Sequence, residues 1–177
     1  MSKQFLPKIS RERFEGLFRE CLAQMLETND RLLIRNLREE CINSAFLAIL
    51  KEKFSDFGKF KKLNYDLEYD KLEYADKTIA GKRRRPDILI HVRGENYANF
   101  LFLEAKKGNI NKDDREKVIE VLAGGFNYTF SVALEYFPDR TYSRYWIFQA
   151  GDTFETREPR TLDHPNFGEI RQMLLKG

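Results

Sequence analysis

The sequence predicts a mixed α/β protein, a single domain in which helices flank a central sheet. Three observations carry this. Apolar side chains recur at helical spacing over residues 10–54. From Leu63 the period changes to the two-residue alternation of strands. Beyond Gly108 one more helical stretch precedes two further strand-like runs.

The elements follow in order. Ser10 can cap a helix running to about Leu26, with Phe14, Leu17, Phe18, Cys21, Leu22, Met25 and Leu26 on one face. Thr28-Asn29-Asp30 breaks that helix and caps a second, which reaches about Phe54 with a weak point at Asn36. Ser55-Asp56-Phe57-Gly58 ends it. Leu63, Tyr65, Leu67 and Tyr69 alternate with Asn64, Asp66, Glu68 and Asp70, which reads as a half-buried strand. A polar connection containing Gly81 leads to a strand over residues 87–92. Arg93-Gly94-Glu95-Asn96 is a turn, and residues 99–106 are the next strand. Gly108-Asn109 breaks it. Asp113 and Asp114 suit the start of a helix through Leu122, because acids complement the helix dipole there. Gly124-Gly125 stops that helix. Residues 127–136 and 142–149 form a hairpin around Pro138-Asp139-Arg140-Thr141. Residues 159–166 read as loop and 167–175 as a short closing helix. The chain thus divides into an N-terminal helical extension (1–28), a core (29–150) and a C-terminal loop and helix (151–177).

At 177 residues the chain is long enough for one real core. Its 42% hydrophobic and 33% charged residues are ordinary for a globular protein, and 15 Phe with 8 Tyr argue against disorder. No apolar run approaches the length that spans a bilayer. Met1-Ser2-Lys3-Gln4-Phe5-Leu6-Pro7 lacks the apolar core of an export signal. The expectation is a cytoplasmic protein with no membrane partner. Cys21 and Cys41 then read as reduced core thiols, and two Cys with two His argue against a zinc site. The net charge of +3 does not demand nucleic acid. The distribution says more. Lys82, Arg83, Arg84 and Arg85 stand directly before Asp87, Lys107 follows Lys106, and Lys59, Lys61 and Lys62 lie upstream. Such a run is either a solvated loop or a surface for phosphates.

The chemistry gathers on two apolar runs. Asp87 precedes Ile88-Leu89-Ile90, and Glu104 follows Phe100-Leu101-Phe102-Leu103. A charge at the end of a buried strand is rarely placed without a partner or an ion. Alternate residues of a strand share a face, so Glu104 and Lys106 project together while Ala105 turns away. That leaves the Ala105 carbonyl reachable as a further hard ligand. If the two strands pair, Asp87 and Glu104 converge. Magnesium, or manganese in its place, suits one or two carboxylates with waters and phosphate oxygens. A metal there would polarise a phosphate and acidify its bound water. Lys106 would orient or deprotonate that water and stabilise developing negative charge. These residues predict a metal-dependent nuclease. The bare string is degenerate, since Pro138-Asp139 followed by Glu155-Thr156-Arg157 repeats it inside a turn. Placement at strand ends separates the two.

A third acid comes from the second helix. With about 100° of rotation per residue, the apolar face of Ile42, Ala45, Phe46, Ile49 and Leu50 lies within roughly 40° of Glu39 and roughly 140° from Glu40. Glu39 either reaches the metal site or pairs with a base such as Arg35.

Glu39 on a helix, Pro86-Asp87 and Glu104-Ala105-Lys106 together resemble the PD-(D/E)xK nuclease superfamily, the restriction-endonuclease-like fold. The likeness covers about Arg35 to about Gln149, and Leu67-Glu68-Tyr69 with Arg85-Pro86-Asp87-Ile88 looks like its small bacterial and phage members. The resemblance implies a Mg2+-dependent phosphodiesterase acting on DNA. It implies Asp87 and Glu104 as metal ligands, Lys106 as catalytic lysine and Glu39 as auxiliary acid. The chain lacks the Gln-x-x-x-Tyr that several exonuclease-like members carry after the lysine strand. The first helix lies outside the common core and reads as a cap or as a face for a second copy or a protein partner. An alternative function is a non-catalytic module of the same fold that binds nucleic acid or a partner protein.

Other residues carry rival readings. His91 shares the Asp87 side of its strand and reads as a hydrogen-bonded structural histidine before a catalytic one. Tyr128, Tyr136, Tyr142, Tyr145 and Trp146 could stack on bases, but their alternating spacing suits core packing. Glu68 lies on the polar face of its strand, where it faces solvent or supports the site from outside.

Overall fold

The computed structural model describes residues 6, 8–56, 60, 62–67, 78–79, 82–83, 85–93, 99–138, 140, 142–164, 168 and 172, with the backbone alone at 78–79 and 82–83. The expected turn over 94–96, Gly81, Glu68, Asp70, Arg84 and nearly all of the expected closing helix over 167–175 lie outside the described residues.

Three helices open the chain. α1 (Arg11–Thr28) is capped by Ser10, whose hydroxyl accepts from Arg13 N at 3.2 Å. The expected second helix is split into α2 (Asp30–Ile34) and α3 (Glu39–Ser55). The weak point is the cause: Asn36 adopts a φ of 54°, the left-handed region that Asn tolerates and that no helix continues through. Strand β1 (Asn64–Leu67) follows. The polar connection after it holds a short hairpin, β2 (Thr78–Ile79) with β3 (Lys82–Arg83). Then come β4 (Ile88–His91), β5 (Asn99–Lys107), α4 (Lys112–Ala123), β6 (Tyr128–Tyr136), β7 (Tyr142–Phe148) and β8 (Arg160–Asp163).

Among the described residues six strands form one sheet in the order β1-β4-β5-β6-β7-β8. β5 and β6 are parallel, with α4 as the crossover between them, and every other neighbouring pair is antiparallel. The expected loop at 159–166 therefore contains an edge strand. Its residues are largely exposed, so no apolar alternation marks it in the sequence. No helix among the described residues is long and apolar enough to cross a membrane.

The sheet separates two cores. On one face Leu101, Leu103 and Ala105 of β5 with Val132 and Leu134 of β6 pack under α1 and α3. Phe14 of α1 is fully buried there, stacked on Phe130 at 4.2 Å and edge-on to Phe100 at 5.6 Å. On the other face Leu89, Phe102, Ala133, Trp146 and Phe148 pack under α4 with Val118, Val121 and Leu122.

α1 is thus a structural layer rather than an extension. All seven apolar residues of its face are buried in the chain's own core, so that face is not presented to a partner. Cys21 is buried as expected, but Cys41 is exposed because it stands one residue, about 100°, off the buried face carrying Ile42. Tyr128, Tyr136, Tyr145 and Trp146 are buried as packing residues, and Tyr142 is half-buried.

Candidate active site

The charged residues collect where the C-terminal end of β5 meets the start of β4. β4 and β5 pair with Ile88 opposite Leu103, and the next step of that register sets Asp87 opposite Glu104. The backbone holds them there. Asp87 N donates to Leu103 O at 3.1 Å, and Asp87 Oδ2 accepts from Ala105 N at 2.8 Å. Asp87, Glu104 and Lys106 lie on the α4 side, as does the buried Phe102. Ala105 turns the other way and is fully buried toward α1 and α3.

α4 meets this row with charges of opposite order. Asp114 Oδ2 is 4.0 Å from Lys106 Nζ, and Lys117 Nζ donates to Glu104 Oε2. Asp114 and Lys117 are three residues apart, hence neighbours on one helix face. The helix is aimed by a capping box: Asn111 Oδ1 accepts from Asp114 N at 2.9 Å, and Asp114 Oδ2 accepts from Asn111 N at 3.4 Å. From the opposite face α3 supplies Glu39 at its first turn. Glu39 Oε2 accepts from Lys107 N at 2.8 Å, and its Oε1 lies 3.9 Å from Lys106 Nζ. Glu40 is exposed, as the helical angles require.

The electrostatics follow from this packing. Burial pushes the Glu104 carboxyl up to about 8, and the nearby Asp87 charge pushes the same way against the pull of Lys117. Burial also raises the Asp87 carboxyl, opposed by the Ala105 N–H and by Lys117 and aided by Glu39. Burial alone would lower Lys106, but Glu39, Asp114, Glu104 and Asp87 together raise it. A buried carboxylate raised by burial and by a second carboxylate beside it marks a place where a cation is favoured. The donor set fits magnesium, which takes one or two carboxylates and keeps waters. Among the described residues no three His, Cys, Asp or Glu side chains group to hold a metal by themselves. Glu39 is engaged by Lys107 N and Lys106 instead of joining such a group.

The basic residues divide. Lys82 and Arg83 lie on the β2–β3 hairpin, with side chains outside the described residues, as is all of Arg84. Arg85 is exposed beside Asp87. Lys107 differs from the expected nucleic-acid contact. Its Nζ donates to the carbonyls of Asn36 at 3.4 Å and Leu37 at 3.0 Å, in the turn between α2 and α3. His91 is buried, with Nε2 2.7 Å from Asp66 Oδ2, which also accepts from Arg93.

Several residues here escape a reading of single strands. Lys117 and Asp114 are found only once α4 is laid on β5, although their i, i+3 spacing beside buried Val118 is visible in the sequence. Glu135 is fully buried. It accepts from Ile110 N at 2.9 Å and Arg144 Nε at 2.5 Å, tying down the loop that launches α4. Tyr136 is also fully buried, and its hydroxyl finds no partner among the described residues. Burial raises its pKa, and the charges of Asp87 and Glu39 raise it further. A cavity of about 300 Å3 beside Asp87 is lined by Glu40, Asn43 and Leu67.

No family model matches the chain, and no curated protein or solved structure matches it. The site's own geometry therefore has to carry its function.

Proposed function

We propose that the chain is a metal-dependent nuclease that hydrolyses phosphodiester bonds in DNA, a member of the PD-(D/E)xK class in its restriction-endonuclease-like fold. The observation that supports it is the buried Glu104, raised by the charge of Asp87 across the paired strands, with Lys106 projecting from the same strand face. Asp87 and Glu104, with the Ala105 carbonyl, would hold Mg2+ or Mn2+. The metal supplies Lewis acidity toward a phosphate oxygen and lowers the pKa of its water.

The chain's own residues do the rest. The Ala105 N–H fixes the Asp87 carboxylate, and the paired backbones fix its distance from Glu104. Glu39 and Asp114 flank the Lys106 ammonium and keep it protonated. Held between these carboxylates, Lys106 would orient the attacking water and stabilise charge on the phosphate. Arg85, exposed two residues before Asp87, would meet a DNA backbone, where guanidinium–phosphate contacts supply affinity without sequence reading.

Incubation of the purified chain with DNA in Mg2+, Mn2+ or EDTA tests this. Cleavage should require metal, and Asp87→Ala and Lys106→Ala should each lower it by about 10²-fold or more. Metal-dependent cleavage that survives both substitutions sinks the assignment.

A further inference from the structure

Lys117 is a site residue to which the nuclease reading gives no task. Its Nζ donates to Glu104 Oε2, with side-chain exposures of 15% for the lysine and 5% for the glutamate. The ammonium also lies 5.8 Å from the centre of the Phe102 ring, a cation–π distance. The partner oxygen belongs to a carboxylate that the metal reading needs. Around it stand Asp87 and Asp114, whose charges act on Glu104 in the same sense. A buried cluster of acids requires compensating positive charge. Lys117 supplies one such charge from α4, and a divalent cation would supply another at the same carboxylate. Two cations drawn to one buried oxygen repel each other.

We propose that Lys117 competes with the divalent cation for Glu104, so that this lysine sets how tightly the site takes its metal. The inference rests on Asp87 and Glu104 being the cation's ligands. Lysine suits the task, because its ammonium rides a flexible four-carbon stem that can swing away, unlike a planar guanidinium fork. Asp113, four residues before it on α4, has the helical spacing to receive the displaced ammonium. Lys117 is accordingly a positioning residue. It holds the Glu104 carboxylate in place and yields it on metal binding.

Mn2+ binding measured by titration calorimetry, with no nucleic acid present, tests the competition. Wild type, Lys117→Met, Lys117→Arg, Asp87→Ala and Glu104→Gln are compared. Removing the charge in Lys117→Met should tighten Mn2+ binding about tenfold or more, and keeping it in Lys117→Arg should not. Lys117→Met binding Mn2+ no tighter than wild type overturns the competition and leaves the cation site standing. Mn2+ binding that is indifferent to both Asp87→Ala and Glu104→Gln overturns the cation site and the competition with it. Should Lys117→Met fold poorly alone, the rise in melting temperature with added Mn2+ reads the same quantity, with Lys117→Gln measured beside it. A larger rise than in wild type supports the competition, and an equal or smaller rise overturns it.

Discussion

The two faces of this sheet are built from the same strands and do opposite work. Along β5, Leu101, Leu103 and Ala105 point to α1 and α3, while Phe102, Glu104 and Lys106 point to α4. Along β6, Val132 and Leu134 share the first face, while Ala133 and Glu135 share the second. The first face is an aromatic pile in which Phe14, Phe18, Phe46, Phe54, Phe100 and Phe130 touch ring to ring. The second begins as an apolar core and ends in Asp87, Glu104, Lys106 and Glu135 with the charges of α4. A strand's two-residue period lets one segment hold the domain together on one side and place ionisable groups on the other. Stability and chemistry should therefore separate by face.

The largest effect should come from breaking the first face. Phe14→Ala removes a fully buried ring stacked on Phe130, and should cost about 3–5 kcal/mol of unfolding free energy in urea melts. Metal-dependent cleavage per folded molecule should stay near wild type, because no site residue touches Phe14. A loss of cleavage with full stability would show that the faces are coupled.

A smaller effect separates the faces by pH. Glu104 has an ordinary carboxyl pKa of 4.5, raised in the folded chain to about 8, first by burial and then by the charge of Asp87. The folded state thus keeps a proton that the unfolded chain releases. The contribution is fully present below about 4.5 and is lost as pH rises to about 8. Urea melts across that window should show wild type losing stability with rising pH, and Glu104→Gln losing less. Parallel curves for the two proteins would remove Glu104 as the titrating group.

The first face was far more legible in the sequence than the second. Period-four apolar residues from Phe14 to Leu26 announce α1, and Phe100-Leu101-Phe102-Leu103 announces β5, because burial demands apolar side chains and backbone periodicity spaces them. Glu39 was legible by angle alone, and its inward aim is seen in its bond to Lys107 N. What stayed hidden depends on long-range packing. Lys117 meets Glu104 only through the docking of α4, and no local rule pairs residues of a helix with those of a preceding strand. The turn of Lys107 toward Asn36 and Leu37 depends in the same way on where α2 ends. β8 was hidden for the opposite reason, since an exposed edge strand needs no apolar pattern.

The smallest effect compares the two helix caps, one on each face. Ser10 caps α1 with one hydrogen bond of 3.2 Å, and Asn111 caps α4 in a reciprocal box with Asp114. Either Ser→Ala or Asn→Ala at a cap should cost about 1 kcal/mol. Their consequences for cleavage should differ. Ser10→Ala frays the first turn of a helix whose buried face holds it in register. Asn111→Ala loosens the turn that carries Asp114, and with it one of the two carboxylates flanking Lys106. A severalfold drop in metal-dependent cleavage for Asn111→Ala, at a stability loss matched by a fully active Ser10→Ala, is the expected result. Equal cleavage by the two variants would mean that Glu39 alone holds Lys106, and the role of α4 would narrow to the Lys117 contact on Glu104.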